Sequence, residues 1–218
     1  RQALEQDLKP VPIRLAKSLF NCYLVSVARM KTHLQVIVTL TIKNIAIGAI
    51  YNPDRHSLAW HQRQPGTFSH DPQPLNLYIT RLDQALTPAL AVIDGVIGME
   101  GEGPVKGTPI ASNVALAGTN ALAVDIVGSE VMSFDYRTIG YLWYLSQLRS
   151  LSREDIQVAG EEPARCITRY KPSEKLPELL SWWIESWKDH LLGGHIKSRE
   201  TSRRGSASIA GTSLGRSS

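Results

Sequence analysis

Short apolar runs alternate with helical periodicities along this 218-residue chain, and that alternation predicts an α/β fold: a layered domain with a mainly parallel or mixed sheet flanked by helices. Two further observations support it. Hydrophobic residues make up 43% and charged residues 20%, the composition of a chain that buries a core. The length suits one domain of about 150 to 200 residues and leaves no comfortable room for a second. Residues 1–196 are therefore assigned to a single domain, and 197–218, rich in Ser, Arg and Gly, to a disordered basic tail.

Taken in order, residues 1–19 read as an amphipathic helical piece interrupted at Pro10 and Pro12. Tyr23 to Val27 reads as a buried strand that ends at Arg29-Met30-Lys31-Thr32-His33. The apolar stretch Leu34 to Ile50 exceeds usual strand length and predicts a buried helix stopped by Gly48. Tyr51 to Pro74 holds Pro53, Pro65, Pro72 and Pro74 with His56, His61 and His70, which predicts a long loop. Leu75, Ile79, Leu82 and Leu86 recur at helical spacing, and Pro88 stops that helix. Leu90 to Asp94 is a short strand followed by the glycine-rich segment 98–107, and Val114 to Ala117 is another short strand. Thr119 or Asn120 caps a helix that runs through Val131. A helix over Tyr141 to Leu148, a short strand over Ile156 to Val158 and a helix over Glu174 to Leu192 complete the reading, with Gly193-Gly194 as the last stop.

Charge and cysteine content narrow the function classes. The formal net charge of +4 resides in the tail, where Lys197, Arg199, Arg203, Arg204 and Arg216 stand against Glu200. The body is balanced and lacks a basic stripe with interleaved aromatics, so no nucleic-acid partner is expected. Cys22 and Cys166 are too few for an iron–sulfur cluster within this chain and lie at no zinc-ligand spacing. No stretch approaches the roughly 20 apolar residues that span a bilayer, so a cytoplasmic protein without a membrane partner is expected.

In a parallel sheet, ligands bind where loops leave the carboxyl ends of strands. That rule selects Lys31-Thr32-His33, Asp94 to Gly107 and Gly118 to Asp125. Lys31, His33 and Lys43 could neutralise a phosphate or carboxylate that Thr32 and Asn44 orient. Gly101 and Gly103 let backbone N–H groups turn inward, while Glu100 and Asp94 offer hard oxygen ligands to a divalent metal. Thr119 lies at the third loop. Asp125 sits among apolar neighbours and needs a partner, for which Lys31, Lys43 or a metal is expected. His33 and Asp125 are the candidate acid–base pair. The spacing of the glycines matches neither a P-loop nor a dinucleotide fingerprint.

Together the blocks Lys31-Thr32-His33, Thr39 to Asn44 with Gly48, Asp94 to Pro104, and Ala117 to Asp125 resemble the "domain of unknown function 362" family over residues 24 to about 160. The resemblance implies a mixed α/β domain of bacterial or archaeal proteins, sometimes joined to ferredoxin-type cluster domains, and no settled activity. It raises the weight of Lys31, His33, Lys43, Asn44, Glu100 and Asp125 as pocket residues. Two departures stand out: Asn120 occupies a position where the family commonly has aspartate, and no cysteine-rich ferredoxin module accompanies the domain. The family pattern also implies a strand and lysine-containing segment upstream of residue 1.

The leading expectation is a small-molecule-binding domain or enzyme with a polar, glycine-lined pocket for an anionic or metal-linked ligand. A redox protein acting with a separate iron–sulfur or flavin partner is the first rival. An interaction module that docks through the tryptophan-rich segment 174–192 is the second.

Overall fold

A computed structural model describes residues 13–51 and 71–192. The leading residues 1–12, the histidines of the proline-rich stretch and the basic tail lie outside the described residues.

The first strand, β1, spans Val25–His33, and its burial alternates until the last two residues, so Ser26, Ala28 and Met30 face the core and Val25, Val27 and Arg29 face out. Lys31-Thr32-His33 belongs to the strand itself because a second strand, β2 (Ile37–Thr39), folds back antiparallel and pairs Lys31 with Thr39, Thr32 with Val38 and His33 with Ile37. The helix expected over 34–50 is therefore confined to α1 (Thr41–Gly48). Apolar content alone could not separate the two, since Val36, Val38, Leu40 and Ile42 are all buried.

Helix α2 (Pro72–Ala85) starts earlier than its leucine spacing suggests, because Pro72 at its first position donates no N–H that the helix would need. Strands β3 (Leu90–Glu100) and β4 (Thr108–Gly118) are both far longer than the short apolar runs that announced them. Gly95 and Gly98 mark close packing inside β3: a Cβ at Gly98 would fall 2.0 Å from the Tyr170 hydroxyl and 2.8 Å from the Met30 carbonyl oxygen.

The sheet order is β2-β1-β3-β4, with β1 and β3 parallel and both edge pairings antiparallel, so the sheet is mixed. Opposite Val96 the β4 strand carries two residues, Ser112 and Asn113, a bulge made possible by the left-handed φ of 53° at Asn113. Helices α1 and α3 (Ala121–Val131) cover the face that holds Met30 and Ile93, and α2 and α4 (Gly140–Arg149) form a second layer outside them. Among the described residues no helix covers the opposite face, where Val25, Val27, Val96 and Ile97 are exposed.

Asn120 caps α3 as expected, its Oδ1 accepting from the N–H groups of Leu122 and Ala123. The 156–158 stretch belongs to no strand among the described residues. The long helix expected over 174–192 is broken into α5 (Leu176–Leu179), a short 3₁₀ turn over Leu180–Trp182 and α6 (Trp187–Leu192). Three bonds to other elements hold the break open. Trp182 donates its indole N–H to the Thr138 carbonyl at 2.7 Å, while Trp182 and Trp183 carbonyls accept from Tyr144 and Gln73. Trp182, Ile184, Trp187 and Leu191 pack with Leu77 and Tyr144, so most of the tryptophan segment faces inward.

Candidate functional site

The site grows from the corner where β1, β2 and α1 meet. Lys31 and Thr39 are direct cross-strand partners and therefore point to the same side of the sheet. Lys43 follows in the first turn of α1 and is only 8% exposed. Burial, reinforced by repulsion from the Lys31 ammonium, lowers the Lys43 pKa to about 7, and burial beside Arg29 lowers that of Lys31. No described residue offers Lys43 a hydrogen bond or an ion pair, and the buried Thr39 hydroxyl is likewise without a partner among the described residues. Lys43 thus feels the charge of Lys31, which lies beside Thr39 across the hairpin, and no described residue supplies an anion to either lysine. Thr39 is the one member that sequence reasoning missed; its signal is its pairing with Lys31, which becomes visible only with the hairpin register.

Asp125 lies beneath this corner and is fully buried. Its Oδ1 accepts from the Thr41 N–H at 2.9 Å and the Thr41 hydroxyl at 2.6 Å, and its Oδ2 from the Ile42 N–H at 2.9 Å. The described partner of Asp125 is thus the α1 N-terminus and not Lys31 or Lys43, and the helix dipole favours a carboxylate there. Burial outweighs these donors and raises its pKa to about 7. Asn44 is similarly engaged: its amide donates to the Ser26 hydroxyl and the Val27 carbonyl, both at 3.3 Å, and pins α1 to β1.

The glycine loop closes on the strand end through backbone contacts. The buried Thr32 hydroxyl donates to the Gly101 carbonyl at 2.8 Å, and the Gly103 carbonyl accepts from the Leu34 N–H at 3.0 Å. The Gly101 and Gly103 N–H groups are spent on the carbonyls of Lys171 and Gly101, so they do not form the inward nest. Glu100 accepts from the Lys171 N–H at 2.7 Å, and Asp94 accepts from the Val96 N–H while facing Arg29 at 3.7 Å. No group of three or more histidine, cysteine or acidic residues at metal-holding geometry occurs among the described residues. His33 is buried, and its Nδ1 accepts from the Gln35 N–H at 3.1 Å.

The structure does not bring Thr119 to this corner. Because β4 runs antiparallel, its carboxyl end at Gly118 pairs beside Ala91, at the end of the sheet opposite His33 and Glu100. The loop rule for parallel sheets selected this segment on the wrong strand direction. A cleft of about 640 Å³ does lie there, between β4, α3 and residues 156–166. Its walls are largely apolar, with Val114, Leu116, Val124 and Val127 beside Asn120, and the charged residue that lines it is the acidic Glu161. The lysine corner remains the candidate because, among the described residues, it combines a buried cationic group with unmet bonding capacity.

Comparison with known proteins adds three findings. The family model described as "Domain of unknown function (DUF362)" matches residues 5–130. The Thylakoid-associated protein sll1697 of Synechocystis sp. is 25% identical over 128 residues, which cover 58% of this chain and 38% of that protein. No solved structure matches. No helix among the described residues is long and apolar enough to cross a membrane.

Proposed function

We propose that this chain, which belongs to the domain of unknown function (DUF362) family, binds an anionic small molecule at the corner formed by Lys31, Thr39 and Lys43. The observation that carries the reading is Lys43, a residue only 8% exposed that lies beside a second lysine with no counter-charge among the described residues. Burying an unpaired charge is expensive, so a folded protein that keeps one has a use for it. A phosphate, sulfate or carboxylate would accept from both ammonium groups and supply the missing counter-charge. Glu100 and Asp94 are held by Lys171 and Arg29, and the reading therefore rests on an anion without a bridging metal. In this reading His33 and Asp125 position β2 and α1 around the ligand.

Calorimetric titration with inorganic sulfate, whose charge is constant across neutral pH, tests the assignment. Specific binding at a hundredfold excess over Kd also raises stability by about 2.7 kcal/mol, which a thermal melt detects. Lys43→Met and Lys31→Ala are each expected to abolish the titration heat while the protein stays folded. Unchanged sulfate or phosphate binding in both variants would overturn the site.

A further inference from the structure

The outward positions of the sheet read apolar where a solvated face would carry polar side chains. Register sets them in rows: Val25 beside Leu90, Val27 beside Val92 and Ala117, and Arg29 beside Asp94 and Ala115. They alternate with Ala28, Met30 and Ile93, which face the helices. Val27 is 62% exposed, Ala115 and Ala117 are exposed, and Ile97 continues the patch along β3. A contiguous apolar patch across three strands marks a surface that another surface covers. With strands about 4.8 Å apart and the 11 residues of β3 rising about 3.3 Å each, two such faces pressed together bury on the order of 1,000 Å² in total, where specific interfaces begin. In the middle of the patch stand the side chains of Arg29 and Asp94, 60% and 43% exposed and 3.7 Å apart. A foreign apolar surface would bury this pair with no further bonding partner, which is costly. A second copy of the chain brings the same two groups in reverse order.

We infer that two copies of the chain pack through this face, sheet against sheet, about a two-fold axis that runs along the strands between β1 and β3. Rotation about that axis lays β1 of one copy over β3 of the other, so Arg29 of each meets Asp94 of its mate and Val27 of each meets Val92. Sheets stacked about 10 Å apart with strand directions within about 30° interdigitate such valines, and the four charges close into a ring of alternating sign. A two-fold contact uses one patch twice and leaves none free, so association stops at the dimer. The edges of the sheet take no part in it. The inference goes beyond the anion-binding reading and does not depend on it.

Sedimentation velocity of the full chain across the micromolar range is expected to show a species of twice the 24.1 kDa chain mass. Val27→Asp places a charge in the covered face and is expected to weaken association roughly a hundredfold. Arg29→Glu and Asp94→Arg are each expected to weaken it roughly tenfold. An equimolar mixture of those two variants should associate again, because one face then carries two negative groups and the other two positive ones. An ion pair confined to a single chain would gain nothing from mixing. A monomer at every concentration would overturn the inference, as would a dimer indifferent to Val27→Asp, whose contact must lie elsewhere. Charge variants that dimerise undiminished, or that fail to recover on mixing, would overturn the second copy as the occupant of the face.

Discussion

Lys43 and Asp125 place two titrating groups within three residues' reach of one helix start, and they respond to pH in opposite senses. The folded-state pKa of Lys43 is depressed to about 7 from 10.5, so its cost to stability is fully present below about pH 7 and is relieved as pH rises toward 10.5. Lys43→Met is therefore expected to stabilise the protein by on the order of 1 to 3 kcal/mol at neutral pH, in the same variant that loses anion binding, with urea denaturation as the measure. Sulfate affinity of the unaltered protein should fall as pH rises above about 7, where the free corner loses its proton. Asp125 behaves in reverse. Its folded pKa is raised to about 7 from 3.8, so its contribution is greatest below about pH 4 and is lost as pH rises through 7. Asp125→Asn leaves one of three donors at α1 unmet and is expected to cost about 1 to 3 kcal/mol, with a larger difference from the unaltered protein at pH 5 than at pH 8. Equal differences at the two pH values would show that the carboxyl does not titrate with folding.

The elements explain which glycines matter and why. A Cβ at Gly103 would lie 2.1 Å from the Thr32 carbonyl oxygen, a backbone atom that cannot step aside. Gly101 meets nothing within 4 Å but adopts φ of 76°, which costs an L-residue about 1 kcal/mol. Gly103→Ala is accordingly expected to lower the melting temperature more than Gly101→Ala, and equal effects would mean that the loop can lift off β1. Part of the fold was legible beforehand, in the amphipathic spacing of α2 and the Asn120 cap of α3, and of the candidate site the nearness of Lys31 and Lys43. The strand lengths of β3 and β4 were not, because glycines and small residues carry no alternation when they serve close packing. The break at Trp182 was also hidden, since the bonds that stabilise it come from Thr138, Tyr144 and Gln73, far away in sequence. Register decided the rest: Thr39 joins the corner only because it opposes Lys31.

At the scale of the whole molecule, a mixed sheet carries one covered face and one that no described helix covers, with a second aromatic cluster sealing the outer helices. Trp182→Ala removes a ring that packs against Trp143, Tyr144 and Trp183, and should cost about 3 to 5 kcal/mol by chemical denaturation. The antiparallel return of β4 also leaves an 11-residue strand at the border of the sheet. A long, flat border of that kind is an invitation to self-templated stacking between molecules. Pro109 removes a donor from it, and the left-handed kink at Asn113 bends it out of line. These two residues act as sentries against fibril growth. Replacing both with threonine is expected to leave the sheet paired yet shorten the lag before thioflavin-positive aggregates form, so the irregularity that shapes the fold also keeps copies from joining edge to edge.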